Sequence, residues 1–260
     1  MSTPVAVKLV VLGSGTSMGV PTIGCGCPVC RSEDPRDKRT RPSALVQYNG
    51  RNVVIDTTPD FRAQALRAEM TRLDAVLFTH AHADHILGLD DVRPFNFQQK
   101  TDIPIYGSRS TIETIQRMFR YIFDGSYPFG GTPSVTVHVI EGPLELFGLV
   151  FTPVPVIHGN MEVLGFKFGR AAYLTDFSLI PESSLPLLED LDILFLDALR
   201  YTPHPTHCTV GQALAYVERL RPQRAFFTHI CHDLAHEKTN AKLPPHVRLS
   251  YDGMELEVRV

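Results

Sequence analysis

Thr79-His80-Ala81-His82-Ala83-Asp84-His85 puts four metal-binding side chains within six residues. The apolar run before it, Asp74-Ala75-Val76-Leu77-Phe78, reads as a buried strand, and Ile86-Leu87-Gly88-Leu89 behind it reads as the first turn of a helix. The ligands therefore fall where a strand gives way to a helix, the edge at which α/β sheets carry their chemistry. Imidazole and carboxylate together suit Zn, Mn or Fe. One ion cannot easily take all four groups at this spacing, whereas two ions sharing a short loop can. The alternative is a chance His-rich surface turn, and partners elsewhere in the chain decide against it.

Those partners follow the same pattern. Asp176 and His229 each come after an apolar strand and a Thr, as His80 does, and His158 follows Pro155-Val156-Ile157. All are expected to project from one edge of a sheet. His80, His82, Asp84, His85, His158, Asp176 and His229 then make seven ligands, enough for two metals of coordination four to five with Asp176 as the bridge. A lone His is more often a hydrogen-bonded structural residue; the argument is the set. Two metals about 3.5–4 Å apart would hold a bridging hydroxide and stabilise charge on a substrate oxygen. Asp56 and Asp197 also end apolar strands. Asp197 reads as a carboxylate supporting the site from behind. Asp56 reads either as a carboxylate orienting a ligand His or as a helix cap.

Gly24-Cys25-Gly26-Cys27-Pro28-Val29-Cys30 is a second cluster. Three thiolates this close suggest a structural zinc loop at 24–31, and such sites take four ligands. His232, Cys231 and Cys208 are the candidates for the fourth; three free thiols in a loop are the alternative.

The 260 residues carry a net charge of −3, 43% hydrophobic and 20% charged residues, the balance of an ordinary globular enzyme. That charge gives no general attraction to nucleic acid or an anionic membrane. No signal peptide and no apolar run of membrane-spanning length is evident. Five cysteines, three of them in 25–30, argue against a disulfide framework and for metal binding in a reducing cytoplasm. No composition shift divides the chain, so residues 1–260 are expected to form a single domain.

Strands are expected at 5–12, 44–48, 52–55, 103–106, 135–140, 144–147, 149–156, 163–168, 171–175, 193–196, 224–228 and 254–259. Helices are expected at 60–69, 109–123, 181–190 and 209–220. Asn49-Gly50 is the turn of a hairpin. Gly13-Ser14-Gly15-Thr16 lacks the P-loop lysine and reads as a tight turn near the site. The charged stretch 31–42 reads as a solvated loop, 90–97 as an aromatic-bearing loop, and 117–134 as a substrate lid or an ordinary surface loop.

His80-Ala81-His82-Ala83-Asp84-His85, with His158, Asp176 and His229 downstream, resembles the binuclear metallo-β-lactamase-fold hydrolases in order and spacing over nearly the whole chain. The resemblance implies an α/β (α+β) fold, an αββα sandwich of two mixed sheets with helices outside. It places His80, His82, His158 and Asp176 on one metal, and Asp84, His85, Asp176 and His229 on the other. The Cys loop together with Thr228-His229-Ile230-Cys231-His232 narrows it to the PhnP-like cyclic phosphodiesterases, implying a structural zinc on Cys25, Cys27, Cys30 and His232. In that branch the His of a His-Cys pair is the general acid, which carries over to His207 beside Cys208, with His204 a nearby competitor. Asp84 is carried as both ligand and catalytic carboxylate.

The expected reaction is hydrolysis of a small cyclic phosphodiester, of the ribose 1,2-cyclic phosphate or 2′,3′-cyclic nucleotide type, by a metal-bridging hydroxide. It would use two catalytic divalent metals (Zn or Mn, with Fe a further option) and one structural Zn. An acyl hydrolase, lactonase or thioesterase, is the runner-up, and an RNA-processing nuclease ranks third because Arg36–Arg41 is the only basic arm. A small-molecule phosphodiester is the expected partner, without membrane or nucleic acid, and the resemblance implies a homodimer.

Overall fold

The computed structural model describes residues 6–125 and 130–260. In chain order the first half is β1 (Val7–Gly13), β2 (Ser43–Tyr48), β3 (Arg51–Ile55), α1 (Phe61–Arg67), β4 (Ala75–Leu77), α2 (Ala83–Ile86), α3 (Arg93–Gln99), β5 (Ile103–Gly107), α4 (Arg109–Met118), α5 (Arg120–Phe123) and β6 (Val135–Val139). The second half is β7 (Leu144–Leu146), β8 (Leu149–His158), β9 (Met161–Phe168), β10 (Ala171–Leu174), β11 (Ile193–Asp197), α6 (Val210–Leu220), β12 (Arg224–Thr228), α7 (His236–Asn240), β13 (Val247–Leu249) and β14 (Glu255–Val258).

These strands make two seven-stranded mixed sheets, β14-β1-β2-β3-β4-β5-β6 and β13-β12-β11-β10-β9-β8-β7. Both follow one plan. An edge strand and an antiparallel meander (β14-β1-β2-β3, β7-β8-β9-β10) lead into three parallel strands. The repeat lies in the pairing and leaves no trace in the residue pattern. Asn49 and Gly50 both take positive φ, 49° and 68°, as the type I′ turn of the β2–β3 hairpin requires.

Alternation along the strands makes the layers. Leu9 and Val11 of β1, and Ile193 and Phe195 of β11, meet in one core between the sheets with Phe151, Phe166 and Phe168. Val10 and Leu12 face the other way, onto Phe61 of α1, Phe95 of α3 and Ile112 and Ile115 of α4. Leu194 and Leu196 face Val210, Ala213 and Val217 of α6. The result is the expected αββα sandwich. Each large side chain so buried contributes about 1.5–3 kcal/mol. α6 starts at a capping box, Thr209 with Gln212, and ends at Arg221 in a left-handed conformation.

β3, β4, β10, β11 and β12 all end at the same edge of the sandwich, because each sheet's parallel strands run one way. β8 lies two antiparallel steps from β10 and ends there too. Asp56, His80, His158, Asp176, Asp197 and His229 are thereby brought to one rim.

Several local expectations are corrected. The 90–97 segment is not a loop: Pro94, in the first turn of α3, costs that helix no hydrogen bond. The 109–123 helix breaks at Phe119 (φ −104°, ψ 39°) into α4 and α5. Of 181–190 only Leu185–Leu188 coils, as a 3₁₀ turn. β13 and α7 carry too few periodic residues to be read in advance. Gly13 and Gly15 serve close packing: a Cβ on Gly13 would lie 1.9 Å from the Arg41 carbonyl oxygen, and one on Gly15 2.8 Å from that of Arg39. Residues 126–129 of the expected lid lie outside the described residues. No helix among those described is long and apolar enough to cross a membrane.

Candidate metal centre

At the rim the seven predicted side chains gather as the spacing implied. His80, His82 and His158 form one set, and Asp84, His85, Asp176 and His229 another, the ligand atoms of each lying within 4.8 Å of one another. Asp176 sits between them: its Oδ1 is 3.2 Å from His85 Nε2 and its Oδ2 3.2 Å from His229 Nε2, and it also groups with His158 and His207.

The residues behind these groups fix which nitrogen faces inward. Asp56 accepts from the Thr79 amide, the Thr79 hydroxyl and His85 Nδ1, each at 2.8 Å. A hydroxyl has one proton to give, and Thr79 gives it to Asp56. Its oxygen therefore accepts from His80 Nδ1, 3.0 Å away. The Thr206 carbonyl takes the Nδ1 proton of His158 at 2.8 Å. In all three imidazoles Nε2 is left with a lone pair toward the site, the arrangement of metal-ligating histidines. Asp56 is thus no helix cap; Asp60 is the N-cap residue of α1 and makes no side-chain cap hydrogen bond.

Burial leaves this chemistry unsatisfied within the protein. His80 Nε2, Asp84 Oδ2, His85 Nε2 and His229 Nε2 are buried without a hydrogen-bond partner, and a polar atom in that condition costs about 1–3 kcal/mol. Burial disfavours ionisation of Asp176, but the imidazoles of His229 and His85 hold its carboxyl well below the usual range. Asp84 is lowered in the same way against its own burial by His85 and His229. Burial would lower His229, yet Asp176, Asp84 and Asp197 raise it to about 9. Two buried anions thus draw positive charge, which protons on His85 and His229 supply where no metal binds and which divalent cations, fitted by the donor set, would supply in their place. Asp56, Asp176 and His229 all sit at positive φ (65°, 51°, 57°), backbone strain concentrated at the rim.

Asp197, on β11, accepts from the Phe177 amide at 3.0 Å and from His207 Nδ1 at 2.7 Å. The His207 ring stacks on His229 (4.5 Å between centroids, 12°) and lies 4.8 Å from His158. His204 is 5.0 Å from His207 and its Nδ1 meets Thr206.

Beyond the end of β12 the Cys loop meets the segment after His229. Cys25, Cys27 and Cys30 Sγ lie 3.2, 3.5 and 3.4 Å from His232 Nδ1. Zn–S of about 2.3 Å and Zn–N of about 2.0–2.1 Å at a tetrahedral angle put S and N about 3.5 Å apart, so the group fits one zinc. The Cys30 amide lowers the Cys27 thiol to about 7. His232 closes this group; Cys231 accepts from the Asp233 amide and Cys208 points at the Ser178 carbonyl. Sequence reasoning missed Arg39 and Asp37, taken for solvated loop charges. Both are buried, and Arg39 holds the Cys231 and Leu234 carbonyls on either side of His232 (3.1 and 2.7 Å).

A family model described as "Beta-lactamase superfamily domain" matches residues 51–230. A solved structure, described as a new diphosphatase from the PhnP family, is 52% identical, with 98% of each chain covered and a TM-score of 0.92. The chain belongs to the PhnP family of metallo-β-lactamase-fold proteins. That PhnP-family relative, a diphosphatase, is a hydrolase. An octanoyltransferase of Porphyromonas gingivalis is 38% identical over 253 residues, 95% of this chain and 51% of that protein. A ribonuclease Z of Bradyrhizobium diazoefficiens is 31% identical over 144 residues, 53% of this chain and 47% of that protein. The chain thus spans about half the length of these curated relatives.

Proposed function

We propose that this PhnP-family protein hydrolyses a small phosphodiester, with a cyclic one as the leading class. The observation that carries the reading is the Asp197-backed His207 beside the metal-ligand sets. An alkoxide leaving from phosphorus needs a proton, and an imidazole supplies one near neutral pH. His80, His82 and His158, with Asp176 shared, would hold one divalent metal; Asp84, His85, Asp176 and His229 would hold the other. Bound there, the two ions, Zn or Mn, would supply an acidified water and neutralise charge on phosphate oxygens. Asp56, through Thr79 and His85, keeps the ligand nitrogens aimed. With its Nδ1 proton donated to Asp197, His207 would act as an imidazolium whose second proton, on Nε2, goes to the departing oxygen. Asp84 acts as a ligand carboxylate in this scheme. Cys25, Cys27, Cys30 and His232 would hold a zinc that ties the Cys loop to the strand end carrying His229.

The 52% identical diphosphatase supports a second reading, cleavage of a phosphoanhydride at the same centre. Its leaving group is a phosphate, which needs less help from His207. The octanoyltransferase likeness brings thioesters into the test as well. Metal-loaded protein is assayed on a 2′,3′-cyclic nucleotide, a ribose 1,2-cyclic phosphate, a diphosphate, a lactone and an acyl thioester, with metal content measured on the same sample. Turnover of the cyclic esters with about three metals per chain supports the proposal. Turnover confined to the diphosphate, or to the acyl compounds, overturns it.

A further inference from the structure

Cys27-Pro28-Val29-Cys30, inside the group that fits a zinc, is also a C-x₂-C dithiol. The Arg31 amide donates to the Cys27 carbonyl and the Ser32 amide to that of Val29, each at 3.1 Å, so the chain makes a helical turn here. Residues three apart in such a turn share a face, with Cβ atoms about 5–6 Å apart. A disulfide needs about 3.5–4.5 Å, a short closing movement. All three sulfurs of the group lie within 4.8 Å of one another, so distance between sulfurs does not choose a pair, and the backbone does. Cys25 lies before the turn, two residues from Cys27, a spacing that a turn does not bring face to face. Access differs along the pair. Cys27 is half-buried between exposed Gly26 and Pro28, whereas Cys30 is only 6% exposed. The Cys30 amide donates to Cys27 Sγ at 3.4 Å. A reachable sulfur with a covered partner one turn on is the layout of a dithiol that attacks and then resolves.

We propose that Cys27 and Cys30 are an oxidative modification site, which hydrogen peroxide closes to a disulfide and a small dithiol reopens, and that closure loosens the chain segment behind His229. The Cys27 thiolate attacks one peroxide oxygen, the O–O bond breaks, and a sulfenic acid and hydroxide result. The Cys30 thiolate then attacks the Cys27 sulfur; the S–S bond forms and a second hydroxide leaves. The two sulfurs give up two electrons, and the peroxide that takes them ends, with two protons, as two waters. Thiolate is the form that ligates a metal, so closure removes two of the four donors from the zinc group. His232, whose Nδ1 faces all three sulfurs at 3.2–3.5 Å, loses that anchor. It lies three residues beyond His229, which sits at a strained φ of 57°. Ile230 and Cys231 keep their backbone bonds to Ser14, Thr16, Leu199 and Arg39. The rim is therefore loosened and not dismantled.

The test uses the metal-loaded wild-type chain, since replacing a cysteine would itself disturb the zinc group. Hydrogen peroxide is added, released zinc is followed with a chromophoric chelator, and thiols are mapped by differential alkylation and mass spectrometry. The expected result is loss of about one zinc per chain together with a disulfide between Cys27 and Cys30. Cys25, Cys208 and Cys231 should remain thiols, and dithiothreitol should restore both the pair and its zinc. Freed zinc is then removed, and the oxidised protein is expected to hold metal at the Asp84, His85 and His229 set about tenfold more weakly than the reduced protein. Zinc retained at peroxide doses that oxidise free glutathione would overturn the proposal. So would a disulfide made with Cys25, a sulfinic acid that dithiothreitol cannot reverse, or an unchanged affinity at the rim. None of these measurements uses an ester, so they stand or fall apart from the hydrolase assays.

Discussion

His85 Nδ1 donates to Asp56 Oδ2 across 2.8 Å, both side chains being fully buried. The same Asp56 oxygen receives the Thr79 hydroxyl, which in turn receives His80 Nδ1. One carboxylate therefore aims a histidine in each of the two ligand sets. Burial raises the Asp56 carboxyl, but three donors converge on its oxygens, which is the setting of an ionised group. Asn tolerates the positive φ found at position 56, so Asp56→Asn keeps the backbone and changes the donor pattern. It is expected to weaken metal affinity by about 10–100-fold. Competition with a chromophoric chelator measures this, and an unchanged affinity would remove Asp56 from the metal centre.

His207 and Asp197 make the second prediction. An ionised carboxylate only accepts, so Asp197 holds one proton of His207 on Nδ1, and the imidazolium form carries on Nε2 the proton that is transferred. His207→Ala is expected to lower kcat on an alkoxide-leaving phosphodiester by about 10²–10⁴-fold. An activated aryl ester, whose leaving group departs unprotonated, should lose less than about tenfold. Asp197→Asn should give the same split in weaker form, because a neutral amide stabilises the imidazolium less than a carboxylate does. Equal losses on the two esters would refute the acid role.

The rim was legible because ligand chemistry survives in one dimension. Thr79-His80, Thr175-Asp176 and Thr228-His229 each follow an apolar strand, β4 in one sheet and β10 and β12 in the other, and the face-to-face packing of the two sheets brings them together. The Thr of the first pair was visible, but its work, linking His80 to Asp56, depends on two strands being neighbours. What stayed hidden depends on distant packing. Arg39 and Asp37 sit among exposed charges in the sequence, and only the approach of residues 231–236 buries them.

Arg39 supplies a third prediction. Its guanidinium is fully buried, pairs with Asp37 at 2.9 Å and holds two carbonyls that flank His232. Removing one partner of a buried pair leaves the other charge uncompensated and costs about 3–5 kcal/mol. Arg39→Met is expected to destabilise the protein by that amount in denaturant unfolding and to speed loss of zinc from the Cys25, Cys27, Cys30 and His232 group. Arg36→Met, at an exposed pair with Asp34 and Glu237, is the comparison and should cost no more than about 1 kcal/mol. Similar costs for both would mean that burial of Arg39 carries no special weight.

The last prediction concerns acid. His236 is buried, its Nδ1 is unpartnered, and its ring packs edge-on against Tyr251. Burial first, then the charges of Arg36 and Arg39, lower its imidazole from 6.5 to about 4, while Asp34 and Asp37 pull weakly the other way. Its folded pKa lies below its unfolded one, so the unfolded chain takes up a proton from about pH 6.5 that the folded protein refuses until about pH 4. The stability contributed by a neutral His236 is therefore complete above pH 6.5 and is lost as pH falls through that window. Between those limits, wild type should lose stability more steeply than His236→Gln, by up to one proton's worth of slope. Metal groups titrate in both proteins and cancel in the comparison. Urea midpoints measured from pH 7 to pH 4 decide it: converging curves carry the assignment, and parallel curves would place the acid sensitivity in other groups.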